Sequence, residues 1–169
     1  MEKTLQVLNR MQADGVLGQY AIGGAIAATF YIEPVSTSDL DIFFTAAAAS
    51  GQFLSLAPLY DYLAASGYEA AGEAVEIEGW PVQFLPAFNQ LLEEALAQAE
   101  TIQFKSTPTR VMRAEHLVAV MLQTGRPKDY SRIIQFLEVD AVQWSRLSDV
   151  LTRHDLTAHW EEFKRKFNL

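Results

Sequence analysis

The stretch that decides the reading of this chain is Tyr20–Phe44, YAIGGAIAATFYIEPVSTSDLDIFF. A short apolar strand, Tyr20-Ala21-Ile22, runs into Gly23-Gly24, and a second strand, Asp39 to Thr45, opens with Asp-Leu-Asp. Residues two apart on a strand share a face. Asp39 and Asp41 therefore project together, while Leu40 and Ile42 face the core. Two carboxylates held this way repel unless a cation sits between them. A Gly-Gly turn can bring backbone N–H groups up to a phosphate. The combination points to metal-assisted chemistry on a nucleotide.

Around this stretch the chain reads as an α+β unit. Leu5, Leu8 and Met11 lie at helical spacing, predicting a helix over 2–12 that ends at Asp14-Gly15. Ala25 to Tyr31 reads as a small-residue helix, 46–51 as a linker, and 56–66 as a helix with Leu59, Tyr62 and Leu63 inward. Val75-Glu76-Ile77-Glu78 and Val82-Gln83-Phe84-Leu85 alternate on either side of Gly79-Trp80, which signals a β-hairpin. A two-residue turn at Gly79-Trp80 sets Glu78 against Pro81 and Glu76 against Gln83. Asn89 is a cap for a helix running to Ala99, and 101–104 and 109–112 are short strands. From Ala114 the pattern is helical: about 114–123, 127–138, 143–152 and 157–166. The division is an α/β core, 1–112, with a helical region, 113–169, packed on it.

At 169 residues the chain is long enough for one substantial core, and half its residues are hydrophobic. There is no cysteine, so disulfides and thiolate metal sites are excluded. The first residues form an amphipathic helix without an apolar signal region, and no run reaches the roughly 20 apolar residues of a membrane span. A cytoplasmic protein is the expectation. The formal net charge of −8 argues against gripping long nucleic acid through a general field. Lys105 to Arg132, however, holds six basic residues against two acids, a local surface suited to a triphosphate or a short RNA. His154 and His159, five apart, do not share a helix face as ligands would, and read as surface residues. Trp80, Trp144 and Trp160 read as packing residues, and Glu115 as a structural acid facing Arg113 or Arg126.

The ordered set of motifs resembles the nucleotidyltransferase fold of the DNA polymerase β superfamily: a strand ending in Gly-Gly, a short helix, then Ser38-Asp39-Leu40-Asp41. Glu115-His116-Leu117-Val118-Ala119 followed by Arg126-Pro127-Lys128-Asp129 is similar to the small bacterial nucleotidyltransferases related to toxins of abortive-infection (type IV) toxin–antitoxin systems. The resemblance runs from about Tyr20 to Leu137. It implies transfer of a nucleoside monophosphate from an NTP to a hydroxyl on an RNA, protein or small-molecule acceptor, with Mg²⁺, and an antitoxin as a partner. Asp39 and Asp41 would hold the metal. Gly23, Gly24, Thr37 and Ser38 would approach the phosphates, and Arg126 and Lys128 would reach the triphosphate, with Asp129 orienting them. Four positions depart from the family pattern. Val35 and Met121 replace cations, Arg132 replaces an Asp, and Gln83 replaces the third carboxylate, which ligates metal and takes the acceptor proton. An amide cannot take that proton at neutral pH. Either Glu76 substitutes, as a catalytic acid opposite Gln83, or the fold binds nucleotide or a partner without catalysis.

Overall fold

A computed structural model of the protein describes residues 1–34, 37, 39–45 and 56–169. Ser38, Val35 and the 46–51 linker, all read from the sequence above, lie outside the described residues. In chain order the elements are α1 (Glu2–Ala13), β1 (Tyr20–Ile22), α2 (Gly24–Ala28), β2 (Leu40–Phe44), α3 (Ala57–Ala65) and β3 (Ala70–Ala71). There follow β4 (Ala74–Ile77), β5 (Trp80–Pro86), α4 (Gln90–Ala97), β6 (Glu100–Phe104) and β7 (Thr107–Val111). Four helices complete the chain: α5 (Ala114–Thr124), α6 (Pro127–Glu138), α7 (Trp144–Arg153) and α8 (Thr157–Phe167). The fold is α+β.

Among the described residues the strands form one mixed sheet of order β3-β4-β5-β2-β1-β7-β6. At its centre β2 runs antiparallel to β1 and parallel to β5, and the register sets Asp41 beside Gln83. The expected alternation holds on β2. Leu40, Ile42 and Phe44 are buried, while Asp41 and Phe43 are half-buried on the opposite face. Helix α1 lies across the sheet: its Thr4 hydroxyl donates to Ile77 O on β4, and Asn9 donates to Pro108 O on β7. Leu5, Leu8 and Met11 are completely buried with Leu17 and Tyr20 in the main core. Helix α5 is the hub of the C-terminal half, packing on α2, α4, α6, α7 and α8.

The β4–β5 hairpin departs from the sequence reading. Ile77 pairs with Trp80, so the turn is Glu78-Gly79, and both of those residues have positive φ, 53° and 79°. That is the signature of a type I′ turn, whose twist matches its strands. The pairing slides by two residues. Glu76 keeps its face but stands opposite Pro81 instead of Gln83. The short strand β3, unanticipated from Ala70-Ala71, pairs with β4 to extend the sheet.

Candidate active site

Gly23 and Gly24 are explained by what lies over them. A Cβ at Gly23 would meet the Phe43 ring at 2.4 Å, and one at Gly24 would lie 1.7 Å from Asp41 Oδ2. Gly24 also has φ +57°, a conformation that side chains disfavour. The turn is therefore a seat for the two half-buried side chains of β2. Gly23 N–H is already committed, donating to Asp41 O at 2.9 Å. It extends the sheet and holds the aspartate backbone in place, and is not free for a phosphate. The first N–H groups of α2, beginning at Gly24, are the ones without intrahelical acceptors.

Asp39 is positioned from its other side. The Thr37 hydroxyl donates to Asp39 Oδ1 at 3.0 Å and approaches its backbone oxygen. Thr37 thus acts on the carboxylate rather than as a separate phosphate contact. Burial pushes the Asp41 acid above the usual carboxylate range, and the neighbouring Asp39 charge adds to this. Arg126, Lys128 and Arg132 pull it back down. All three cations come from the start of α6 or its first turns, where Pro127 occupies the first helical position.

Asp129 organises this basic wall. Its carboxylate is fully buried and accepts from Arg126 Nε at 2.6 Å and Arg126 Nη2 at 3.2 Å, with Arg132 Nη1 at 3.7 Å. Lys128 makes no ion pair among the described residues. Arg132 is a site residue that sequence comparison missed: read as a departure from a family aspartate, it supplies a cation where Val35 and Met121 do not. Its signal was its position two turns into an amphipathic helix, on the side of Asp129 (i, i+3).

These groups line one cavity of about 410 Å³. Gly24, Thr37, Asp39, Asp41, Gln83, Arg126, Lys128 and Arg132 all contribute, with an apolar side made by Leu85, Phe88, Leu92 and Val120. Phe88 is 77% exposed at its rim. Gly23 and Glu76 are not among the residues that line it. Glu73, like Gln83, is among its lining residues. The donor set suits a hard divalent cation: two carboxylates, Asp39 and Asp41, a glycine that leaves Asp41 room, and no cysteine or histidine among the lining residues.

No family model matches the sequence, and no curated protein is detectably similar to it. Solved structures are. An antigenic nucleotidyltransferase-like protein from Paracoccidioides brasiliensis superimposes with a TM-score of 0.57 at 14% identity, over 94% of this chain and 92% of that one. The chain has a nucleotidyltransferase fold. The same fold relates it to the antibiotic-resistance factor ANT(2'')-Ia, with a TM-score of 0.55 and 14% identity over 99% of both chains.

Two other clusters lie away from the cavity. Glu115 is buried and accepts from Gln143 N–H at 2.9 Å, anchoring the start of α7 rather than pairing with an arginine. His154, expected at the surface, has its side chain 8% exposed and meets Glu94 Oε2 at 2.8 Å. Glu94 also meets His116 Nε2 at 3.2 Å and Arg153, tying α4 to α5 and α7. Trp160 packs in the core as expected, whereas Trp144 is 53% exposed. No described helix is long and apolar enough to cross a membrane.

Proposed function

We propose that the protein is a divalent-metal-dependent nucleotidyltransferase that moves a nucleoside monophosphate from an NTP to a hydroxyl acceptor. The observation that carries this reading is the convergence, in one cavity, of the Asp39/Asp41 carboxylate pair with three cations, Arg126 just before α6 and Lys128 and Arg132 within it. A triphosphate needs both: acids to hold its metal and cations to neutralise its remaining oxygens.

Asp39 and Asp41 are the residues that would hold Mg²⁺, which when bound would neutralise charge developing at the transferred group. Thr37 fixes the rotamer of Asp39, and Gly24 leaves space for Asp41 to lie flat against the turn. Lys128, with no ion-pair partner among the described residues, is the cation best able to follow the γ-phosphate. Arg126 and Arg132 are held in place by Asp129 and present their remaining N–H groups to the β- and γ-oxygens. The apolar side of the cavity, with Phe88 at its lip, accepts the rest of the substrates.

Gln83 favours a second reading, a nucleotide- or partner-binding protein without chemistry, because it puts a neutral amide beside Asp41. Incubation with each α-radiolabelled NTP and Mg²⁺, in the presence of RNA and protein from a cell extract, separates the two. The transferase reading expects label on an acceptor with wild type and none with Asp41→Asn. Unlabelled acceptors alongside intact, Mg²⁺-dependent NTP binding support the second reading.

A further inference from the structure

This inference rests on the nucleotidyl-transfer reading and concerns the proton it must dispose of. As the acceptor oxygen bonds to the α-phosphorus, the bond from that phosphorus to the pyrophosphate oxygen breaks, and the hydroxyl proton has to leave. Gln83, next to Asp41 on β5, cannot take it, because its amide is not a base near neutral pH.

Four carboxylates line the cavity: Asp39, Asp41, Glu73 and Asp129. Asp39 and Asp41 form the metal-holding pair. Asp129 is buried and bonded to Arg126 and Arg132. Glu73 remains. It sits in the two-residue turn Gly72-Glu73 between β3 and β4, where Ala71 pairs with Ala74. Extending the β4–β5 register beyond Val75↔Val82 puts Ala74 opposite Gln83, so Glu73 is the next residue along. Ala74 is small and leaves the path over Gln83 open. Glu73 is exposed and makes no hydrogen bond or ion pair among the described residues, so its side chain is available to the site. It approaches from the β5 side of Asp41, whereas the Gly24 turn lies on the β1 side. An acceptor hydroxyl entering over Gln83 would meet it first.

We propose that Glu73, delivered by the β3–β4 turn, is the catalytic base of this chain and replaces the acid absent at Gln83. The proton passes from the acceptor hydroxyl to a Glu73 carboxylate oxygen, and from there to water after pyrophosphate departs.

The test is pyrophosphate release from each Mg·NTP with water and glycerol as the hydroxyl source, alongside calorimetric Mg·NTP binding. Wild type, Glu73→Gln, Gln83→Asp and the Glu73→Gln/Gln83→Asp double variant are compared. Glu73→Gln is expected to release pyrophosphate about a hundredfold more slowly, with the Mg·NTP Kd within twofold of wild type. The double variant should regain rate. Release by Glu73→Gln at the wild-type rate overturns the proposal. So does a wild type that binds Mg·NTP and releases no pyrophosphate, whether or not Gln83→Asp switches release on. Absence of Mg·NTP binding in every variant, by contrast, rejects the transferase reading itself.

Discussion

The Asp41 carboxylate lies directly on the α-carbon of Gly24, so that a methyl group there would sit 1.7 Å from Asp41 Oδ2. Glycine is required twice over, for the space and for φ +57°. Gly24→Ala should therefore cost at least about 2 kcal/mol, more than the roughly 1 kcal/mol expected from positive φ alone. Gly15→Ala is the control, since Gly15 has φ +74° and nothing within 4 Å of its added Cβ. Chemical denaturation of both variants measures the difference. Equal losses would show that Asp41 does not press on the turn.

The buried Asp129 and its half-exposed partner Arg126 should separate stability from binding. Asp129→Ala removes the buried acid held between Arg126 and Arg132 and should cost roughly 3 kcal/mol. Arg126→Ala leaves the buried Asp129 carboxylate with Arg132 at 3.7 Å, and because the lost cation is 56% exposed it should cost less than Asp129→Ala. It should nevertheless weaken Mg·NTP binding about tenfold or more, by loss of a charge-assisted contact. Denaturation midpoints and calorimetry on the two variants check the ordering.

Acid should weaken the fold in two stages, both centred on Glu94. Burial holds His116 below its ordinary value of 6.5, with its contact to Glu94 opposing that shift. A neutral buried imidazole stabilises the fold fully above pH 6.5, and that contribution declines as pH falls below it. Hydrogen bonds from Arg153, His154 and His116 hold Glu94 down to about 2, from an ordinary 4.5. Its contribution is present above pH 4.5 and is lost as pH falls from there toward 2. Arg113 and Glu115 also face His116 and bias it in opposite senses. Thermal melts between pH 7 and pH 3 should show a continuous decline, with the lower stage flattened in Glu94→Gln. A Tm independent of pH over this range would contradict the assignment.

What could be read from the sequence was what local patterns encode. Alternation on β2, the Asp39/Asp41 pair, the Asn89 cap bonding Leu92 N–H and the Pro127 helix start each depend on residues within a few positions. The hairpin register did not, because Glu78 adopts a positive φ that its identity does not advertise. That one displacement moved Glu76 off Gln83 and hid Glu73. Contacts across distant helices were equally hidden: Glu115 with Gln143, and Glu94 with His116 and His154. In each, the partner is chosen by packing and not by spacing.

Calorimetric titration of the four NTPs, with and without Mg²⁺, into wild type and Asp41→Asn tests the central claim most directly. Mg²⁺-dependent binding of at least one NTP by wild type, lost in a folded Asp41→Asn variant, is the predicted result. Binding that survives the substitution, or that ignores Mg²⁺, would contradict a metal–triphosphate site at Asp39 and Asp41.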